Sequence, residues 1–550
     1  MRTFFISTLG CKVNQYESEQ LATLLRGRGL VQVERADDAD LRIVNTCSVT
    51  VQAASKSRQT VRQLVRLPVL NSSAGASSEQ LEISASSAAA RQRVLVTGCW
   101  ATSDTADASR MSGVTAVLGH HDDVAGQLDR LLSLWENEDR RPPTETPTSS
   151  RTARESSPES LEDGWMKQAG TPDQRFTTYN KSQDRNPVKE NLEESGQRLV
   201  DSAKRGAKRG AERGATSLPL LGARQGGNQR AFLKIQDGCD AHCTYCIIPT
   251  LRPRLWSKPV DDAVAEASRL VAAGHGELIL TGIFLGAYGQ ATALRRRLPE
   301  GAKDHAPLRD LVEALCTRVD GLRRLRLSSL EPGDLTDELI DVLKSYQQVV
   351  PHFHLPLQSG SNRLLHRMNR QYTRDDFLSM AERVKRAWDR PALTTDVIVG
   401  FPGESDEEFQ RTLEVVDEAG FIHIHAFSFS PRPGTAAARW GKDFVRGPVV
   451  NERIKVLNDR AAAYDFLYRQ QFVGEVVELM VERLGATHAS PSVEDGEARA
   501  GHAPPLHGRC ERYFSVWFDS AEALTGKCVK VRVDRATPHR TLGTLLEVMP

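Results

Sequence analysis

Strand-like runs and helix-like segments alternate along most of this chain. TFFIST precedes a helix carrying Leu21, Leu24 and Leu25 on one face, followed by LRIVNT, a second helix and RVLVTG. Strands separated by helical crossovers pair in parallel, so residues 1–135 are expected to form a three-layer α/β domain. The alternation resumes over residues 229–465 with RAFLKI, ELILTG, RRLRLSS, HFHLPL, LTTDVIVG and HIHAFSF. Two helices there are well signed. DDAVAEASRLVAAG ends at Gly274, and SDEEFQRTLEVVDEAG opens on Ser405 and Glu408 in capping-box spacing and stops at Gly420. This block predicts a parallel sheet, open or curled into a full or partial barrel, with its chemistry at the C-terminal strand ends. Residues 466–550 carry VGEVVELMVE, RYFSVWF, KCVKVRV and LGTLLEV with no helical period, as a small all-β domain would.

Between these blocks, residues 136–228 turn to Ser, Thr, Pro, Glu, Arg and Gly and read as a disordered linker. The basic run KRGAKRGAERGA at its end reads as a solvated tether, with RNA contact the alternative, and NSSAGASSEQLEISASSAAA as a surface excursion before the third strand. A net charge of +1 excludes a uniformly basic coat, so any RNA contact must come from local patches. No stretch approaches the roughly 20 apolar residues that span a bilayer. The opening MRTFFISTLG is too short for a secretory signal, and a cytoplasmic protein whose thiols serve metals or catalysis is expected.

Six of the nine cysteines fall at strand ends or in one tight motif. In DGCDAHCTYCIIP, Cys239, Cys243 and Cys246 stand in C-x3-C-x2-C spacing directly after a strand. Structural zinc wants four ligands, whereas a 4Fe–4S cluster on three thiolates keeps one iron open. His242 is the alternative fourth ligand of a zinc site, at crowded geometry beside Cys243. Cys11, Cys47 and Cys99 each follow a strand of the first domain, so a parallel sheet gathers them on one edge beside helix N-termini that favour thiolates. Cys316, Cys510 and Cys528 read as ordinary side chains.

The cysteine loop resembles the radical S-adenosylmethionine signature, and the preceding triad in its own α/β domain resembles the methylthiotransferase family. STLGCKVNQYESE, LTGIFLGAYG, RLSSLEPGDL, HFHLPLQSGSNRLLHRMNRQYT, DVIVGFPGE and FSFSPRPGTAAA are most similar to the MtaB branch. That branch modifies N6-threonylcarbamoyladenosine next to the tRNA anticodon. GCQMN would suggest the isopentenyladenosine branch and GCPKN the branch acting on a ribosomal protein aspartate; this chain reads GCKVN.

The resemblance implies a radical partial (β/α) barrel in the centre, two 4Fe–4S clusters and S-adenosylmethionine. One cluster on Cys239, Cys243 and Cys246 would cleave the cofactor, and an auxiliary one on Cys11, Cys47 and Cys99 would carry sulfur to C2 of the adenine. Thr281, Gly282, Ser329, Glu331, Gln358, Asp396 and Gly400 are candidate cofactor contacts at later strand ends. The last domain resembles the TRAM module, a small RNA-binding β-barrel. Period-2 alternation sends Phe514, Val516 and Phe518 to one face and Tyr513 and Trp517 to the other, with Lys527, Lys530 and Arg532 for phosphates. A tRNA anticodon loop and an electron donor such as flavodoxin or ferredoxin are the expected partners of a monomer. Phe284, Thr250 and Pro253 depart from the family pattern. A non-catalytic iron–sulfur RNA-binding scaffold is the alternative of a different class.

Overall fold

The structure is a computed structural model and describes residues 1–68, 92–120, 122–140, 218–221, 230–295, 306–482 and 505–549. The first domain is a parallel sheet in the order β2-β1-β3-β4-β5, built from β1 (Thr3–Thr8), β2 (Val31–Gln32), β3 (Leu41–Thr46), β4 (Arg93–Gly98) and β5 (Ala116–Leu118). β3 and β4 are buried along their whole length because helices cover both faces. Ile43 and Leu95 pack on one side with Leu21, Leu25 and Leu128, while Val44, Val94 and Val96 pack on the other with Val61 and Trp100.

The helix Val124–Arg140 runs past residue 135, where the linker was expected to begin. Trp135 is buried, and Arg93 lies 5.4 Å over its ring while pairing with Asp139 at 2.8 Å. Before the central domain, Leu221 is buried, its N–H donating to Glu266 at 3.0 Å, and Gln20 donates to the Pro219 carbonyl at 2.9 Å. The rest of the linker reading, and the Ser/Ala-rich excursion, lie outside the described residues.

The central domain has β6 (Arg230–Lys234), the short antiparallel pair β7 (Gln236–Asp237) and β8 (Trp256–Ser257), β9 (Glu277–Thr281), β10 (Arg324–Leu327), β11 (His352–His354), β12 (Ala392–Val399) and β13 (His423–Ser428). β6, β9 and β10 pair in parallel, as do β11, β12 and β13. A parallel bridge between Leu325 and Val349 joins the halves. Among the described residues the result is a partial barrel of six parallel strands with helices outside. Ser405 caps the helix Asp406–Ala419 by accepting from the Glu408 N–H at 3.3 Å, and Gly420 ends it in the left-handed region at φ +66°. The Glu408 carboxylate binds Arg363 at 2.7 Å, a stronger charged partner than the cap N–H. The complete capping box is instead at Thr373 and Asp376.

The last domain is a closed barrel ordered β14-β15-β16-β18-β17, from β14 (Val476–Val481), β15 (Leu506–Cys510), β16 (Ser515–Phe518), β17 (Cys528–Ala536) and β18 (Thr541–Val548). β15 escapes sequence reading because LHGRC lacks alternation. The helix Gly447–Gln470 crosses the expected boundary at 465 and buries Tyr468 in the core of this barrel. Arg324, on the first residue of β10, donates to the Glu478 carbonyl at 2.7 Å and so ties the N-terminal end of the partial barrel to the last domain. Among the described residues no helix is long and apolar enough to cross a membrane.

Candidate active site

The register Thr8 to Asn45 and Thr46 to Gly98 aligns the C-terminal ends of β1, β3 and β4, and Cys11, Cys47 and Cys99 follow them. Gly10 fits beside Cys47 because it has no side chain: a Cβ there would lie 2.9 Å from the Cys47 Sγ, and its φ of +97° suits glycine. Asn14 fastens the gathering. Its amide donates to the Leu9 and Thr46 carbonyls at 2.8 and 2.9 Å, and its Oδ1 lies 4.0 Å from the Sγ of both Cys11 and Cys99. Asn14 was not singled out from the sequence, although its fixed place three residues after Cys11 was the available signal. The expected thiolate-favouring effect of helix N-termini is overcome at Cys47 and Cys99. Burial raises both thiols, Cys99 to about 12, with the neighbouring thiols adding to the effect. A shared cationic group is what such a triad requires to ionise.

Cys239, Cys243 and Cys246 occupy the loop after β7. Burial pushes Cys239 and Cys246 up to about 12, with Cys243 adding to both. The Ala241 N–H donates to the Cys239 Sγ at 3.4 Å, and the Arg370 guanidinium donates to the Cys243 Sγ at 3.2 Å while also pairing with Glu331. Ala287, Leu294, Ile283 and Phe284 form an apolar wall beside the loop. His242 is exposed with φ +52°, in the left-handed region beside Cys243. Three thiols in each set match the donor set of a 4Fe–4S cluster that leaves one iron open.

The two triads adjoin. Cys99 packs on Ile247 and Leu251, just beyond Cys246. Its Sγ is 3.4 Å from the His120 Nε2, which accepts from Arg252 at 3.0 Å. Arg252 also donates to Glu17 and Asp237, and Lys234 bridges the same two carboxylates. Burial and Arg252 together hold His120 down at about 3. These four charged side chains come from three separate segments, so sequence spacing gave no hint of them.

The later strand ends form one rim. Thr281 ends β9 and Gly282 follows it, Ser329 and Glu331 follow β10, and Asp396 and Gly400 lie on and after β12. Gln358 adopts φ +62° and bridges to Val397. Ser329 is exposed, Asp396 pairs with His354 at 3.2 Å, and the Gly400 N–H is taken by Glu404 at 2.7 Å.

In the last domain Phe514, Val516 and Phe518 are buried as the alternation predicts. Tyr513 has a different place from the one expected. It lies before β16 at φ +75°, stacked on His352 at 4.3 Å with the Arg509 guanidinium 4.3 Å from its ring, so protein groups already engage the ring expected to stack on a base. The alternation could not reveal this because His352 belongs to the central domain. Trp517 is half-buried against His507 at 4.7 Å; Lys527 is exposed; Lys530 pairs with Glu547 at 2.9 Å and Arg532 with Asp534 at 3.1 Å.

A partial barrel with a three-cysteine loop after its first strand defines a radical S-adenosylmethionine enzyme. Residues 233–416 match the Radical SAM superfamily, and residues 3–119 match the family described as Uncharacterized protein family UPF0004. The threonylcarbamoyladenosine tRNA methylthiotransferase MtaB of Bacillus subtilis is 32% identical over 100% of this chain and 97% of its own length. Its namesake in Chlamydia pneumoniae is 30% identical over 99% and 98%. A tRNA-2-methylthio-N(6)-dimethylallyladenosine synthase of Frankia alni is 31% identical over 98% and 87%. The chain belongs to the methylthiotransferase family of radical S-adenosylmethionine enzymes, with two 4Fe–4S clusters and S-adenosylmethionine as its cofactors.

Proposed function

We propose that this chain converts N6-threonylcarbamoyladenosine at position 37 of tRNA, beside the anticodon, into its 2-methylthio form. The observation that carries the reading is the packing of Cys99 against Ile247 and Leu251, which sets one three-thiol site beside the other in a single chain. When bound, the cluster on Cys239, Cys243 and Cys246 with S-adenosylmethionine supplies radical chemistry, and the cluster on Cys11, Cys47 and Cys99 supplies sulfur.

The protein's own groups position and shield these sites. Arg370 holds Cys243 and Glu331 together, and Asp240 fixes the loop by accepting from Thr292 at 2.6 Å and the Ala293 N–H at 2.7 Å. Phe284, which replaces a polar residue of the family pattern, adds to the apolar wall, and such a wall keeps water from reactive species. Thr281, Gly282, Ser329, Glu331, Gln358, Asp396 and Gly400 are assigned to the rim that receives S-adenosylmethionine. Trp517, Lys527, Lys530 and Arg532 are assigned to the anticodon arm, where a stacking face and cations suit loop RNA.

The GCKVN sequence at the first cysteine and the full-length relatives named for this substrate support the choice of base. Identity alone does not select it, since the Frankia synthase stands nearly as close. The enzyme is assigned as a monomer served by a flavodoxin or ferredoxin. Mass analysis of tRNA nucleosides from cells with and without the gene tests the function. Loss of 2-methylthio-threonylcarbamoyladenosine on deletion is expected; its persistence, with loss of methylthio-isopentenyladenosine instead, would overturn the substrate.

A further inference from the structure

The interior of the partial barrel holds a guanidinium whose outer donors are unused. Along β10, Leu325 and Leu327 join the core under the helices, while Arg324 and Arg326 alternate with them. Both arginines meet Glu277 of β9, at 3.7 and 2.7 Å. Arg324 is also held by backbone carbonyls of the last domain. Arg326 is different: only its Nε reaches Glu277, it is 2% exposed, and among the described residues its buried Nη1 and Nη2 have no hydrogen-bond partner. Leaving such donors unmatched is costly, so the site is incomplete as it stands.

The surroundings show what is missing. The Tyr513 ring lies 5.1 Å from the Arg326 guanidinium, and His352, stacked on that ring, has an Nδ1 without a partner among the described residues. His352 stays neutral, because burial and the charges of Arg326 and Lys12 oppose its protonation. Arg230 and Arg509 share Glu482, Glu277 serves two arginines, and Asp396 binds His354. Two parallel N–H donors on Arg326 await a two-oxygen acceptor, the geometry of a carboxylate. An RNA backbone cannot enter a barrel to reach a guanidinium so deeply buried; a group hanging from a flipped-out base can.

We propose that the Nη edge of Arg326 is the subsite for the free carboxylate of the threonylcarbamoyl group. The inference rests on the substrate reading given above and adds its recognition element. Isopentenyladenosine, which carries no anion, would leave this edge unmatched, so the subsite discriminates between bases by charge.

The test uses the cluster-loaded full chain and two synthetic anticodon stem-loops, one with the natural threonyl carboxylate and one with its neutral carboxamide. Fluorescence anisotropy reads affinity, and product analysis reads KM and kcat. The carboxamide should bind and react with a Kd and KM about ten- to a hundredfold higher, the range for a charged hydrogen-bonded partner. Arg326→Lys keeps a charge but loses the fork, and Arg326→Met removes the charge altogether. Each should shrink the ratio between the two loops, and because both are measured on the same preparation, partial misfolding does not alter the ratio. Equal affinity and KM for the two loops on the unaltered enzyme would overturn the subsite while leaving the substrate reading intact. Methylthiolation of neither loop would overturn the substrate reading and the subsite with it.

Discussion

Glu17→Gln should loosen the first domain from the central one. The Glu17 carboxylate accepts from Lys234 and from both Nη atoms of Arg252, each at 2.8 Å, and all three side chains are nearly buried. Burial alone would raise this carboxyl, but Arg252 and Lys234 outweigh it and hold it well below its usual range. Removing the charge leaves Lys234 and Arg252 with Asp237 as their remaining shared carboxylate. Breaking a buried pair from one side costs about 3–5 kcal/mol, because the partners stay desolvated. At about 1.4 kcal/mol per tenfold, docking should weaken by roughly two to three and a half orders of magnitude. Calorimetry on the cluster-loaded protein should then show the transition of the first domain moving to lower temperature, with increased proteolysis between the domains. High salt should not reproduce the effect, since buried pairs are screened little. The sign with pH follows from the depressed carboxyl: the stabilisation is complete above the unfolded value of 4.5 and is lost as the pH falls through the folded one. An unchanged thermogram for Glu17→Gln at pH 7 would refute the claim that this cluster holds the domains together.

Gly98→Ala should disable the auxiliary site alone. Gly98 has φ +93° and ψ −164°, and a Cβ there would collide with the Asn45 Oδ1 and the Thr46 carbonyl, displacing Cys99 at a cost of roughly 1–3 kcal/mol. Iron analysis should show one cluster's worth lost, with cofactor cleavage to 5′-deoxyadenosine retained; full iron content would contradict it. Asp334, raised to about 7 by burial and by Glu331, binds a proton more tightly in the folded chain than in the unfolded. Stability should therefore fall as the pH rises from about 4 to about 7, by up to about 1.4 kcal/mol per unit, and Asp334→Asn should flatten that slope in urea unfolding. A slope unchanged by the substitution would place the titration elsewhere.

The sequence by itself determined the parallel architecture, because strands such as LRIVNT and RVLVTG separated by helical segments have few ways to pair. It also determined that six cysteines belong to two sets, since a strand-end position follows from local pattern and chain order. Short-range signals likewise located the ends of the helix before Gly420. Contacts between distant segments decided the rest. The closeness of Cys99 to Leu251, the buried group of Glu17, Arg252, Lys234 and Asp237, and the placing of Arg370 on Cys243 depend on how one domain lies on another. Tyr513 shows the limit most clearly: alternation gives the face of a side chain on its own sheet, but what lies against that face is set by His352, more than a hundred residues earlier in the chain. Thiol ionisation was also decided in three dimensions, because helix ends act locally while burial at Cys47 and Cys99 comes from the whole packed domain.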